Sequence, residues 1–310
     1  MEAWQPEVVV VGAACLDIKG YILGPVHQAT SNPGRVRISI GGVARNIAEN
    51  LARLGTRTTL LAVVTRDPFG QQIVKHTGAA GVDVSQVLFT REERTGAYLA
   101  IVDGEGTLMV AVDDTAAMAE LTPRYVYQRR RLFRGARMAV LDANVPLETA
   151  RTVLRIAQRY GVPVCLDPVS YELARRYREL IGHFYLLTCG EIEVEALLGQ
   201  PATSRREATV AARQLVSAGV GVALILLRGG GVVYATTEDS GYVPALRCPV
   251  VDPTGAADAL TATVIYGLVN GFPLDEAVWL GVSAATVTLQ STETVRSDLS
   301  LDLLYQQLVS

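Results

Sequence analysis

The stretch Gly41-Gly42-Val43-Ala44-Arg45-Asn46-Ile47-Ala48-Glu49-Asn50-Leu51-Ala52-Arg53-Leu54-Gly55 reads as a glycine-led helix. Ile47, Leu51 and Leu54 recur at i, i+4, i+7 on one face, and Gly55 is a good stop. Paired glycines at the start bring the backbone close to a ligand with no Cβ in the way. Asn46, in the first turn, offers a polyol both donor and acceptor. A second stretch, Asp252-Pro253-Thr254-Gly255-Ala256-Ala257-Asp258-Ala259-Leu260, leads into a helix that runs on to Asn270-Gly271. The free N–H groups and positive dipole end of such a helix form an anion site. A carboxylate in the first turn, here Asp258, is ordinarily a dipole partner. With a phosphoryl group on the same N–H groups it is also placed to take a proton from an attacking hydroxyl.

Outward from these two helices, β-branched runs alternate with helical periodicity. Strands are expected at Val8–Gly12, Thr58–Val63, Met138–Ala143, Pro163–Asp167, Phe184–Thr188 and Ala223–Leu227. Helices are expected at Val43–Leu54, Leu147–Tyr160, Ile192–Leu198 and Arg206–Ala218. The pattern is an α/β, doubly wound, mostly parallel sheet with helices on both faces, binding ligands beyond the strands' carboxyl ends. A single domain over residues 1–310 is expected. Gly96–Val112 breaks the alternation as a hairpin around Asp103-Gly104-Glu105-Gly106, and Tyr21–Ile40 is extended, with Asn32-Pro33-Gly34 as its turn. Segments 17–40 and 95–113 are thus expected to pair as a small β-sheet lid that excludes water from a site. The simpler alternative is an immobile edge extension.

Of the 310 residues, 49% are hydrophobic and 19% charged, too apolar a mix for disorder. The longest uninterrupted apolar run, Gly219–Leu227, suits a buried strand and is too short for a membrane. A net charge of −3 gives no global attraction to nucleic acid or an anionic membrane, so small-molecule partners are expected. Cys15, Cys165, Cys189 and Cys248 are scattered, and Met1–Glu7 lacks the basic and apolar regions of a secretory leader; a cytoplasmic protein is expected. The only lysines, Lys19 and Lys75, do not follow a glycine, so no GxxxxGK[ST] loop exists. GxGxxG, GxSxG and HExxH are also absent, and the isolated His27, His76 and His183 receive no role. The arginines 129, 130, 131, 134 and 137 read as solvated surface.

The pair GGVARNIAENLARLG and DPTGAADAL, with strand–helix alternation between, resembles the ribokinase-like (PfkB) family of sugar and nucleoside kinases over essentially the whole chain. Within the family the resemblance runs toward its pseudouridine kinases. It is carried by Ser31-Asn32-Pro33-Gly34, Gly42-Val43-Ala44-Arg45-Asn46, Leu141-Asp142-Ala143-Asn144, Asp167-Pro168-Val169-Ser170 and Asp298-Leu299-Ser300. The resemblance implies transfer of the ATP γ-phosphoryl to the 5′-hydroxyl of a ribosyl nucleoside, with Mg²⁺. It implies Asp258 as catalytic base and the amides of Gly255, Ala256 and Ala257 as anion hole. Asp17, Gly42 and Asn46 match positions that hold ribosyl hydroxyls, and Asn144 one near sugar or base. Glu193, Arg228, Gly229 and Gly230 fall on the nucleotide side. Asp252 matches an aspartate that helps hold a monovalent cation such as K⁺, and Glu193 one associated with magnesium. A homodimer through the lid's exposed sheet edge is a further expectation.

Three nucleotide-side positions depart from the family. Gly190 stands where NxxE expects asparagine, Ala257 replaces the third residue of GAGD, and Gly229-Gly230-Gly231-Val232 replaces GxxG. Two alternatives to the nucleoside kinase therefore stand: a catalytically weak or inactive nucleoside- or sugar-binding relative, and a kinase acting on ribose or another sugar.

Overall fold

A computed structural model describes residues 5–91, 94–105 and 107–309. Along the chain run β1 (Val8–Val11), β2 (Cys15–Ile22), β3 (Gly34–Gly41), α1 (Val43–Arg53), β4 (Thr58–Leu61), β5 (Val63–Thr65), α2 (Pro68–Ala79), β6 (Leu88–Thr90), β7 (Ala97–Val102) and β8 (Leu108–Asp114). There follow α3 (Pro123–Gln128), β9 (Met138–Asp142), α4 (Leu147–Tyr160), β10 (Val164–Asp167), α5 (Tyr171–Tyr177), β11 (Leu186–Gly190), α6 (Glu191–Leu198) and α7 (Arg205–Ser217). The chain ends through β12 (Val222–Leu226), β13 (Val232–Ala235), β14 (Ser240–Val243), α8 (Ala256–Val269), α9 (Leu274–Leu289) and α10 (Leu301–Val309).

The main sheet has the order β14-β13-β12-β11-β10-β9-β1-β4. Six strands are parallel, and β13 and β14 extend one edge antiparallel. The all-valine β1 shows why the parallel strands read as continuous apolar runs: both faces are covered. Val9 and Val11 pack into one helical layer, Val8 and Val10 into the other, all four fully buried. Helix α8 packs against α9 and α1 in the second layer.

The expected strand Thr58–Val63 is divided in two. Beyond Leu61 the chain leaves the main sheet, and β5 pairs instead with β6 in a two-stranded ribbon. The antiparallel β13 and β14 lay outside the expected strands because Gly229-Gly230-Gly231 reads as loop and each strand has only four residues.

The second sheet, ordered β3-β2-β7-β8, joins the two segments that broke the alternation. Gly106, the last residue of the expected hairpin turn Asp103-Gly104-Glu105-Gly106, lies outside the described residues. Register gives the sheet two unlike faces. Asp17, Lys19 and Tyr21 on β2 align with Ser39, Arg37 and Arg35 on β3, and Asp17 with Tyr98 on β7, which pairs with Asp113 on β8. The opposite face carries Ile18, Ile38, Val36, Leu99, Val110 and Val112. Of that apolar set, Val36 is 74% exposed and Val112 59%.

Candidate active site

The carboxyl ends of the parallel strands converge on the amino ends of α1 and α8. At the first junction, β3 ends in Gly41, β2 presents Asp17 beside it, and Gly42 caps α1 at φ 96°. A Cβ on Gly42 would lie 2.5 Å from the Ala13 carbonyl, and one on Gly41 2.2 Å from Asp17 Oδ1. The paired glycines therefore serve first to let β3, β2 and the β1 end approach one another.

At the second junction Gly255 caps α8 in the left-handed region, φ 83°, where a Cβ would lie 2.0 Å from the Thr294 carbonyl oxygen. No side chain fits there. Ala257 is different: it lies inside α8, and among described non-glycine residues only Ala29 and Val169 have positive φ. Alanine at this position carries no backbone strain. The Ala256 N–H makes only a long bond, 3.4 Å, to the Pro253 carbonyl.

Asp258, in the first turn of α8, is 7% exposed. Asn46 Nδ2 donates to its Oδ2 at 2.7 Å. Asn46 is itself oriented by Arg45, whose Nη1 donates to Asn46 Oδ1 at 2.8 Å and to the Ile40 carbonyl at 3.1 Å. Arg45 is 2% exposed and ion-paired to the fully buried Glu49, which Arg53 also holds at 2.6 Å. Burial pushes the Asp258 carboxyl up to about 7. The Asn46 hydrogen bond and Arg45 pull the other way; the negative charges of Asp17 and Asp142 add to the rise. Asp17 is raised to about 6, again by burial first, against the pull of Lys19 and Arg45.

Asp142, at the end of β9, holds the strand ends together. It accepts from the backbone N–H of Ala13 at 2.8 Å, Ala44 at 3.0 Å and Asn144 at 3.0 Å. Its full burial still raises its carboxyl to about 6. The Asn144 Oδ1 is buried with no hydrogen-bond partner among the described residues. At the equivalent point of β10, Asp167 accepts from Val169 N–H at 2.9 Å, and Val169 takes φ 65° in a turn closed by Ser170 N–H to the Pro168 carbonyl. A β-branched residue there is strained.

A cavity of about 360 Å³ opens between these strand ends, lined in part by Asp167, Thr188, Glu193, Arg228, Ala257 and Asp258. Larger hollows elsewhere, such as the 720 Å³ one beside Arg151, His183 and Tyr185, adjoin none of these carboxylates. On this wall Thr188 Oγ1 is buried with no hydrogen-bond partner among the described residues. Glu193 is tied back to the start of α6, accepting from Gly190 N–H at 2.9 Å, and burial raises its carboxyl. Arg228 is fixed by its N–H to Glu191 Oε1, 2.9 Å. Gly229 and Gly230 form the turn into β13, with Gly230 at φ 95°.

Asp252 lies before α8 but does not meet Glu193 in a shared site. Its carboxylate accepts from Lys19 Nζ at 2.7 and 2.8 Å, Tyr21 OH at 3.1 Å and Thr254 N–H at 2.9 Å. Burial alone would raise this carboxyl, but the Lys19 and Thr254 hydrogen bonds outweigh it and hold it below its ordinary value. With those acceptor positions filled and an ammonium in contact, the residues do not fit K⁺. Mg²⁺ fits better. Among the described residues no three metal-ligating side chains cluster together, yet Asp167, Glu193 and Asp258 line one cavity with hard oxygen donors. That suits an ion held by one or two carboxylates, waters and a ligand's phosphates.

Sequence reading brought forward Asp17, Gly42, Asn46, Asn144, Gly255–Asp258, Glu193 and Arg228, all of which lie along this set of strand ends. It assigned no role to Lys19, Arg45, Asp142 or Asp167. The signal available for the last two was an aspartate ending each of two successive strands, aligned as partners in register.

Comparison with known proteins agrees with this geometry. The model of the pfkB family of carbohydrate kinases matches residues 5–300. The pseudouridine kinase of Escherichia coli K12 is 32% identical over 295 residues, 95% of this chain and 94% of its own. The guanosine-inosine kinase of Exiguobacterium acetylicum is 26% identical over 93% of this chain and 95% of its own. The Arabidopsis thaliana ribokinase solved with ribose and ATP, 23% identical, superposes with a TM-score of 0.83 over 98% of this chain and 99% of its own, which shows the shared fold. The chain belongs to the pfkB family of carbohydrate kinases, phosphotransferases that act on an alcohol acceptor.

Proposed function

We propose that the protein transfers the γ-phosphoryl group of ATP to the 5′-hydroxyl of a ribosyl nucleoside, and that pseudouridine is its acceptor. The observation that carries the reading is Asp258: a buried carboxyl raised to about 7, held by Asn46, at the amino end of a helix whose first turn borders the cavity. A base poised near the working pH balances ionisation against proton affinity.

In this reading Asp258 takes the proton of the acceptor hydroxyl, and Asn46 fixes which carboxylate oxygen faces it. The N–H groups of Gly255, Ala256 and Ala257 hold the phosphoryl oxygens at the dipole end of α8. Asp17 and Gly42 hold ribosyl hydroxyls, and the orphaned Asn144 Oδ1 accepts from sugar or base. Arg228 and the Gly229–Gly230 turn border the nucleotide. Glu193 would hold Mg²⁺ together with waters and the nucleotide's phosphates, and the ion would supply charge neutralisation for the transferring phosphate. The polar face of the small sheet closes over the cleft as a lid, and its apolar face pairs with a second copy. The buried free thiols of Cys15, Cys165 and Cys189 suit a reducing, cytoplasmic setting.

Pseudouridine is supported by the 32% identity to the E. coli pseudouridine kinase across nearly the whole chain. Ribose and other nucleosides are the competing acceptors. ATP consumption measured with pseudouridine, uridine, guanosine, adenosine and ribose tests the choice: pseudouridine is expected to give the highest kcat/KM, and a higher value for any other acceptor reassigns the substrate. The inactive-relative alternative loses one ground, since Ala257 is helical and unstrained.

A further inference from the structure

Strand alternation places Asp17, Lys19 and Tyr21 on one face of β2, and the second of them crosses 233 residues of sequence to reach Asp252. Both residues of the pair are 7% exposed. The Lys19 ammonium also hydrogen-bonds Thr254 Oγ1, so it clasps both ends of the turn that immediately precedes Gly255. Thr254 N–H donates back to Asp252 Oδ1, closing the turn on itself. A single cation thus organises the entry to the helix whose N–H groups are the anion site. It also cancels a buried negative charge that would repel a phosphate there.

We infer that Lys19 is a positioning residue that serves as a covalently tethered monovalent cation of the 252–255 turn, so that phosphoryl transfer at this site proceeds without K⁺. The inference rests on the kinase reading for its catalytic part and on the Lys19–Asp252 geometry alone for its structural part. Removing the ammonium creates a cation vacancy bounded by Asp252, Thr254 and Tyr21, chemistry that suits a free K⁺ or NH₄⁺ ion.

The test compares wild type, Lys19→Ala and Lys19→Ala/Asp252→Asn in tetramethylammonium chloride, with KCl or NH₄Cl replacing it to ~0.1 M at constant ionic strength. Melting is followed without nucleotide, and turnover with Mg·ATP and acceptor. Wild type is expected to be flat in both readouts. Lys19→Ala is expected to lose roughly tenfold or more in kcat, as for loss of a supporting partner of a charged site. K⁺ or NH₄⁺ then raises its melting temperature and recovers part of its turnover, and the double variant does not respond. A wild type that needs K⁺ or melts higher in it overturns the inference. So does a Lys19→Ala protein that stays fully active in tetramethylammonium or gains nothing from K⁺. If Lys19→Ala does not fold, the wild-type titration decides. Absence of turnover in wild type with every acceptor strikes the kinase reading instead, and the melting arm still judges the cation site.

Discussion

Asn46 Nδ2 and Asp258 Oδ2 lie 2.7 Å apart across 212 residues of sequence, joining the first turns of α1 and α8 into one hydrogen-bonded unit. The amide occupies one carboxylate oxygen and leaves the other to an acceptor hydroxyl. Asp258→Asn is accordingly expected to cut kcat by about 10² to 10⁴ while leaving nucleoside affinity within a few-fold, the range for loss of a positioned base. Steady-state kinetics beside calorimetry checks it; a variant keeping more than a tenth of wild-type kcat removes Asp258 from the base role.

The same carboxyl sets a pH dependence. As base it works ionised, so kcat should rise with pH through about 7 and then level. Asn46→Ala removes a hydrogen bond that lowers this value, and the rising limb should move to higher pH. Overlapping limbs for the two proteins would show that another group is being titrated.

For stability the sign is opposite to that of a salt-bridged acid. The folded value of Asp258 lies above the ordinary 3.8, so the native state binds the extra proton, and stability is lost as pH rises from about 4 to about 7. Asp258→Asn should therefore melt higher than wild type at pH 8, by roughly 2–4 °C per kcal/mol recovered, with the gap closing toward pH 4. Melting curves across that window provide the check. Asp17 and Asp142, both raised to about 6, push in the same direction.

Arg45 is a buried cation whose partners are Glu49, Asn46, Thr77 and the Ile40 carbonyl. Arg45→Met leaves Glu49 fully buried with Arg53 as its remaining guanidinium partner and the His76 ring 3.6 Å away. The expected cost is about 3 kcal/mol, the lower end for breaking a buried pair. Urea denaturation measures it. Arg45→Met/Glu49→Leu should regain much of that stability but not the turnover, because Asn46 still lacks the guanidinium that orients it.

Gly255 and Ala257 should separate sharply. Gly255→Ala forces a Cβ onto the Thr294 carbonyl at a left-handed φ and is expected to unfold the α8 entry or lower the melting temperature by several degrees. Ala257→Gly restores the residue usual in the family motif and is expected to cost no more than about 1 kcal/mol while changing kcat only a few-fold. A large gain in turnover from Ala257→Gly would mean that the methyl group obstructs the phosphate.

The outer face of the small sheet yields a separate prediction. Val36, Ile38, Leu99, Val110 and Val112 are all at least 40% exposed and share one face. Wild type should sediment as a dimer and melt higher as its concentration rises, and Val110→Glu/Val112→Lys as a folded monomer whose melting does not depend on concentration. A monomeric wild type would leave the face without the partner proposed for it.

The parallel sheet, its flanking helices, the small sheet and the two glycine-led helix starts were legible in sequence because each is written in a few consecutive residues. Apolar period, a stop glycine or a proline before a helix acts locally, and Asn46 and Asp258 stood out by their places in such first turns. Thr58–Val63 could not be divided from sequence, since its split depends on β5 finding β6 rather than β1. Nor could Lys19 be read: its meaning comes from lying on the same β2 face as Asp17 and facing Asp252 across the cleft. Asp142 and Arg45 are of the same kind, one gathering N–H groups from β1, α1 and its own strand end, the other fixing Asn46 from within the core. Charge compensation in a buried site is a property of which elements meet, so only the tertiary structure decided that a lysine, rather than a free cation, neutralises Asp252.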